Sequence, residues 1–131
     1  MQVLIDTSSW VETLRQDGRQ DIRERVRELV LDGAAVMCDM VLLELWNGAR
    51  GGRERQDLAR LEGVLTVLPT SEEVWTLARE VARRTRETGR TIPATDILIA
   101  ACAAAADAAM DAVDDHVTEA WKMAVAVRRP G

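Results

Sequence analysis

Short unbroken apolar runs alternate along this chain with stretches in which apolar residues return every third or fourth position. The first pattern predicts buried strands and the second amphipathic helices. Gln2 to Ile5 reads as a strand that Asp6 ends, and Thr7, Ser8 and Ser9 then offer N-caps for a helix through about Leu14. Ile22, Val26, Leu29 and Val30 mark a helix from Arg19 to Leu31, which Gly33 stops. Ala34 to Cys38 is a second strand, and Asp39 caps a helix carrying Val41, Leu42, Leu45 and Trp46, closed by Gly48 and Gly51-Gly52.

Glu54 to Leu61 predicts another helix, and Val64 to Leu68 a third strand ended by Pro69. Thr70-Ser71-Glu72-Glu73 matches a capping box ahead of a helix with Val74, Leu77, Ala78, Val81 and Ala82 on one side. After a loop over Thr88 to Pro93, the stretch from Asp96 to about Asp107 is apolar nearly all round, which predicts a buried helix. Ala109 to Val113 is a weaker strand, a short helix holding Trp121 follows, and Ala124 to Val127 reads as a last strand. Strands alternating with helices predict right-handed crossovers and an α/β fold: a central, mostly parallel sheet with helices on both faces.

The length, 131 residues, suits one compact domain over 1–131. With four Trp and neither Phe nor Tyr, the core must be built from Leu, Val, Ile and Ala. A net charge of -5 argues against generic nucleic-acid binding, which wants a basic surface, although a local groove of Arg residues remains compatible with it. The Arg-rich run Arg79 to Arg86 reads as a solvated helix face. Cys38 and Cys102 show neither metal nor redox spacing and read as buried free thiols. The N-terminus starts directly on a strand with no signal peptide, and the longest apolar run, Ile97 to Ala106, is too short to span a bilayer, so a soluble cytoplasmic protein is expected.

In an open parallel sheet, ligands bind at the carboxyl ends of the strands near the switch in strand order. Four acids are placed to meet there: Asp6 and Asp114 past strand ends, Asp96 at the mouth of the buried helix, and Glu44 within an apolar stretch. Carboxylates held close repel unless a proton or a hard cation lies between them. Each has a plainer reading. Asp6 and Asp96 could be helix caps, and Glu44 could pair with an Arg. Of the adjacent Asp114 and Asp115, one at most can point into a given site, and Asp114 is favoured. His116, the single histidine, excludes metal-free cleavage by a histidine pair and reads as a structural hydrogen-bonder. Oxygen-only ligands favour Mg²⁺ or Mn²⁺, and four converging acids exceed what a glycosidase pair needs. They suit metal-assisted phosphodiester hydrolysis. A phosphoacceptor signalling domain would need an acceptor Asp at the mid-chain strand end, where Pro69 stands, and a suitable Lys, where only Lys122 exists.

The motifs Val-Leu-Ile-Asp-Thr-Ser-Ser-Trp around Asp6, Met40 to Gly48 around Glu44, and Ile92 to Ala101 around Asp96 together resemble those of PIN-domain ribonucleases, most of all VapC-type toxins. The match runs over essentially the whole chain, in order. The family's last motif usually reads Thr-x-Asp-x-His-Phe, and here Ala112 to Val117 keep the Asp and His but lose the Thr and the aromatic. The resemblance implies that Asp6, Glu44, Asp96 and Asp114 bind the metal, with Thr7 or Ser8 assisting and Asp115 and His116 as further candidates. It also implies a homodimer, an antitoxin that blocks the active-site groove, and single-stranded or loop RNA cut to leave a 5′-phosphate. The altered last motif keeps a second reading open, a catalytically weak or silent binding module of the same fold.

Overall fold

A computed structural model describes residues 1–129 and contains four strands, all parallel, in the order β3-β2-β1-β4. The chain runs β1 (Val3–Ile5), α1 (Thr7–Leu14), α2 (Gln20–Leu31), β2 (Ala35–Cys38), α3 (Asp39–Gly48), α4 (Gly51–Val64) and β3 (Thr66–Leu68). It then crosses the sheet through α5 (Glu72–Glu87) and α6 (Ala94–Ala105) to β4 (Ala109–Asp111), and ends in α7 (Asp115–Arg128). Strands are added outward from β1 to β3, and β4 then returns to the other side of β1. The switch in strand order therefore lies between β1 and β4. Right-handed crossovers on opposite directions of travel put α1 to α4 on one face and α5 and α6 on the other, and the two helical groups pack mainly among themselves.

One continuous core joins the two faces. Leu4, Ile5, Val36 and Met37 of the central strands meet Trp10, Val26, Leu58, Val74 and Val81 of the helices, all 2 % exposed or less. Every residue from Ile97 to Ala104 is buried, as the unbroken apolar run predicts. Ala residues here let α6 sit close to the sheet and to α7.

Several local expectations are corrected. The span Ala124 to Val127 is not a strand but the end of α7. Val117, Ala120 and Ala124 recur at helical spacing and all are fully buried, so the apolar stripe continues the helix through Arg128. Helix α4 begins at Gly51, whose φ of +78° only glycine adopts without strain, and it runs well past the predicted Glu54–Leu61. Cys38 rather than Asp39 holds the N-cap position of α3, while Asp39 lies in its first turn. Ser71 caps α5 through Val74, so Thr70 and Glu73 do not form the reciprocal box. Both cysteines are buried thiols, as expected. No described helix is long and apolar enough to cross a membrane.

Candidate metal centre

Asp6 follows the last residue of β1 and is only 3 % exposed. It is the N-cap of α1: its Oδ2 accepts the Ser8 N–H at 3.0 Å and the Ser8 hydroxyl at 2.6 Å. Thr7, Ser8 and Ser9 do not supply the cap. The capping role uses one oxygen alone, because Oδ1 is buried and has no hydrogen-bond partner. A buried acceptor left without a donor is costly unless something outside the side-chain set meets it. Burial pushes the Asp6 carboxyl above its ordinary range, with the Asp114 charge adding to it, while the bonds from Ser8 oppose the shift.

The two hydroxyls beside Asp6 reach into other segments. Thr7 Oγ1 donates to Glu44 Oε1 at 2.8 Å, tying α3 to the start of α1. Glu44 is half-buried rather than enclosed, since its neighbours Leu43 and Trp46 are 62 % and 38 % exposed. No Arg pairs with it among the described residues, so the structural alternative weighed from sequence is not realised. Ser8 Oγ accepts the backbone N–H of Val113 at 3.0 Å and of Asp114 at 3.2 Å. A hydroxyl from α1 thus anchors the loop that has Ala at position 112.

Asp96 is not a cap. Helix α6 starts two residues earlier at Ala94, with Pro93 at the N-cap position, and Asp96 sits half-buried in its first turn. Its carboxyl is raised from 3.8 to about 6, first by burial and then by the charges of Asp114, Asp6 and Glu44, with His116 acting the other way. The charges of the other three predicted acids thus all act on Asp96. Asp114 does not directly follow a strand, because β4 ends three residues earlier at Asp111. It caps α7, accepting the His116 N–H at 2.8 Å. Ligand atoms of Asp96, Asp114 and His116 lie within 4.8 Å of one another, so the histidine read from sequence as structural stands at the rim of the acidic group. Asp115 is exposed at the start of α7, outside that group.

Sequence reasoning missed Asp111. It ends β4 as Asp6 follows β1, and its backbone carbonyl accepts the Asp6 N–H at 2.8 Å. Arg25 of α2 grips its carboxylate through Nε at 2.6 Å and Nη2 at 3.0 Å, and Ser9 Oγ donates at 2.8 Å. The bidentate ion pair removes Asp111 from the repelling set and makes it a strut beneath Asp6. Its signal in the sequence was an acid in the middle of the weak Ala109 to Val113 strand, masked by two further acids close behind.

The arrangement fits a hard cation. The donors are carboxylate oxygens, one of them buried and unpartnered, with a single imidazole at the edge.

A family model described as the PIN domain matches residues 3–120. The chain is 35 % identical over 105 residues to Ribonuclease VapC11 of Mycobacterium tuberculosis, covering 77 % of this chain and 78 % of the relative. A VapC ribonuclease of Mycobacterium bovis matches equally. Among solved structures, FitAcB from Neisseria gonorrhoeae superposes with a TM-score of 0.73 at 21 % identity, over 92 % of this chain and 93 % of that one. VapBC-1 from nontypeable Haemophilus influenzae gives a TM-score of 0.72 at 20 % identity, over 93 % of each chain.

Proposed function

The chain belongs to the PIN domain family, and from that premise we propose that it is a metal-dependent endoribonuclease, the toxin of a toxin–antitoxin pair. The ribonuclease names of its relatives support the activity. The observation that carries the metal reading is the buried, unpartnered Oδ1 of Asp6 beside a carboxyl whose ionisation three other acids oppose.

In this reading Asp6, Asp96 and Asp114 hold the ion and Glu44 completes the charge set. Mg²⁺ or Mn²⁺ bound there supplies Lewis acidity and neutralises phosphate charge. The chain's own contribution is placement. Thr7 fixes the Glu44 carboxylate, Ser8 fixes the Asp6 carboxylate and the Asp114 backbone, and Asp111 with Arg25 braces the strand ends. Without a cation, the Asp96 carboxyl keeps its proton up to about pH 6. His116, exposed at the rim, is placed to exchange a proton with solvent or with a leaving oxygen. A single PIN unit, a homodimer, a cognate antitoxin and a cytoplasmic location belong to the same proposal.

The test is cleavage of a single-stranded oligoribonucleotide with Mg²⁺ or Mn²⁺. Cleavage that EDTA and Asp96→Asn both abolish is the expected result. Cation binding to the folded protein with no cleavage of any RNA offered would favour the silent binding module instead.

A further inference from the structure

A groove leads away from Glu44 between the C-terminal end of α1 and the first turn of α4. Its inner part, about 80 Å³, is walled by Glu44, Leu45 and Arg15 among others, and its outer part, about 430 Å³, by Arg15, Arg23, Arg50 and Arg53 with Glu54 and Asp57. Leu14, Arg15 and Glu54 line both parts, so the two spaces are adjacent.

Four guanidinium groups gather here in a chain of net charge -5. The two outer carboxylates are already engaged. Glu54 accepts the backbone N–H of Arg50 at 2.7 Å and lies 3.9 Å from its Nε, and Asp57 pairs with Arg60 at 3.1 Å. Arg23 donates to the carbonyls of Arg15 and Gln16 and secures the end of α1. Arg15 and Arg53 are exposed and pair with no acid among the described residues. Helix α4 begins between Arg50 and Arg53 with no side-chain cap, which adds the positive end of its dipole to the same wall. By contrast, on α5 Arg83 and Arg84 both pair with Glu80, so the Arg-rich run in the sequence is not the basic groove.

Like charges collected at one place lower their energy by holding a polyanion, and guanidinium forks match phosphate oxygens. Glu44 lines the inner part and its charge also acts on Asp96, so a strand whose phosphodiester lies at the acidic cluster would continue past Glu44 toward the arginines. We propose that this groove carries the RNA backbone on one side of the cleaved bond, with Arg15 and Arg53 gripping its phosphates. The inference rests on the ribonuclease reading for its substrate. An RNA strand is favoured over an acidic peptide because the charges begin at the edge where a phosphodiester must sit.

The test is fluorescence anisotropy of a single-stranded oligoribonucleotide in EDTA, so that binding is read without cleavage. The proteins are wild type, Arg15→Ala/Arg53→Ala, and Arg83→Ala/Arg84→Ala as a control of equal net charge. The groove variant should bind about tenfold more weakly near 0.1 M salt, with a log–log salt slope shallower by about 1.4, roughly 0.7 for each phosphate no longer neutralised. The control should match wild type. In cleavage assays KM should rise while kcat holds. Equal affinity of groove variant and wild type overturns the proposal, and so does a wild type that binds no RNA. Arginine-dependent binding of poly-glutamate that is tighter than that of the RNA also overturns it, assigning the groove to an acidic protein segment. Arginine-dependent RNA binding without any cleavage would uphold the track and sink the nuclease reading, so the two fail separately.

Discussion

The Ser8 hydroxyl stands between Asp6 and Asp114, donating to the Asp6 carboxylate at 2.6 Å and accepting the backbone N–H of Asp114 at 3.2 Å. Two acids that repel one another are thus held by one small side chain from the first turn of α1. The consequence is a strand end and a loop whose relative placement is set by hydrogen bonds, with the repulsion confined to the carboxylates.

Ser8→Ala removes three hydrogen bonds at once. The expected cost is about 1–2 kcal/mol of stability, by urea denaturation, since the freed backbone N–H groups gain access to water while Asp6 does not. Mn²⁺ affinity should fall as well. A variant with wild-type Mn²⁺ binding would show that Ser8 shapes the loop without shaping the site.

Asp96 sets a pH dependence for the metal-free protein. Its carboxyl binds a proton more tightly folded, at about 6, than unfolded, at 3.8. The folded state therefore carries more protons between those values, and stability must fall as pH rises through that window and level off above it. Asp6, also raised by burial, acts in the same direction. Melting temperature in EDTA should drop from about pH 4.5 to about pH 6.5, and Asp96→Asn should flatten the drop. An unchanged profile in the variant would remove Asp96 from the repelling set.

A cation should reverse that penalty. At a free Mn²⁺ concentration about a hundredfold over Kd, mass action adds about 2.7 kcal/mol, roughly 10 °C in Tm for a chain of this size. Asp96→Asn should melt no lower than wild type in EDTA and lose most of the Mn²⁺ response, read by calorimetric titration alongside the melt. Unfolding of that variant would mean that Asp96 serves the fold rather than an ion.

Arg25→Met tests the strut under the site. Asp111 is 10 % exposed in its side chain and would keep only the Ser9 hydroxyl, so a loss of about 2–3 kcal/mol is expected. Replacing both residues, Arg25→Met with Asp111→Asn, should cost less than the sum of the singles. Additive losses in that double-mutant cycle would mean that the pair is not coupled.

Much of the fold was legible because burial and periodicity were unambiguous. The helix from Ala94 could be read from an apolar run with no polar face, and the parallel sheet from the alternation of elements. Readings failed where a few residues satisfied two rhythms. Val125-Ala126-Val127 alternates acceptably for a strand, and only the packing of Ala124 against its neighbours made it the end of α7. Helix ends also slipped by two or three positions, which put Asp96 inside the first turn of α6 and ruled out its alternative reading as a cap.

The sequence by itself determined which chemistry was available: four carboxylates at sheet-edge positions and a single histidine. Tertiary structure alone decided how they are held. The hydroxyls of Thr7, Ser8 and Ser9 became links to Glu44, Asp114 and Asp111, which lie 37, 106 and 102 positions away. The basic groove likewise draws on Arg15 and Arg53, distant in sequence and invisible beside the denser Arg run on α5. Local pattern fixes an element because its neighbours along the chain share one face, but a site joins the ends of separate elements. Their meeting depends on strand order, and the packing of the whole core sets that order.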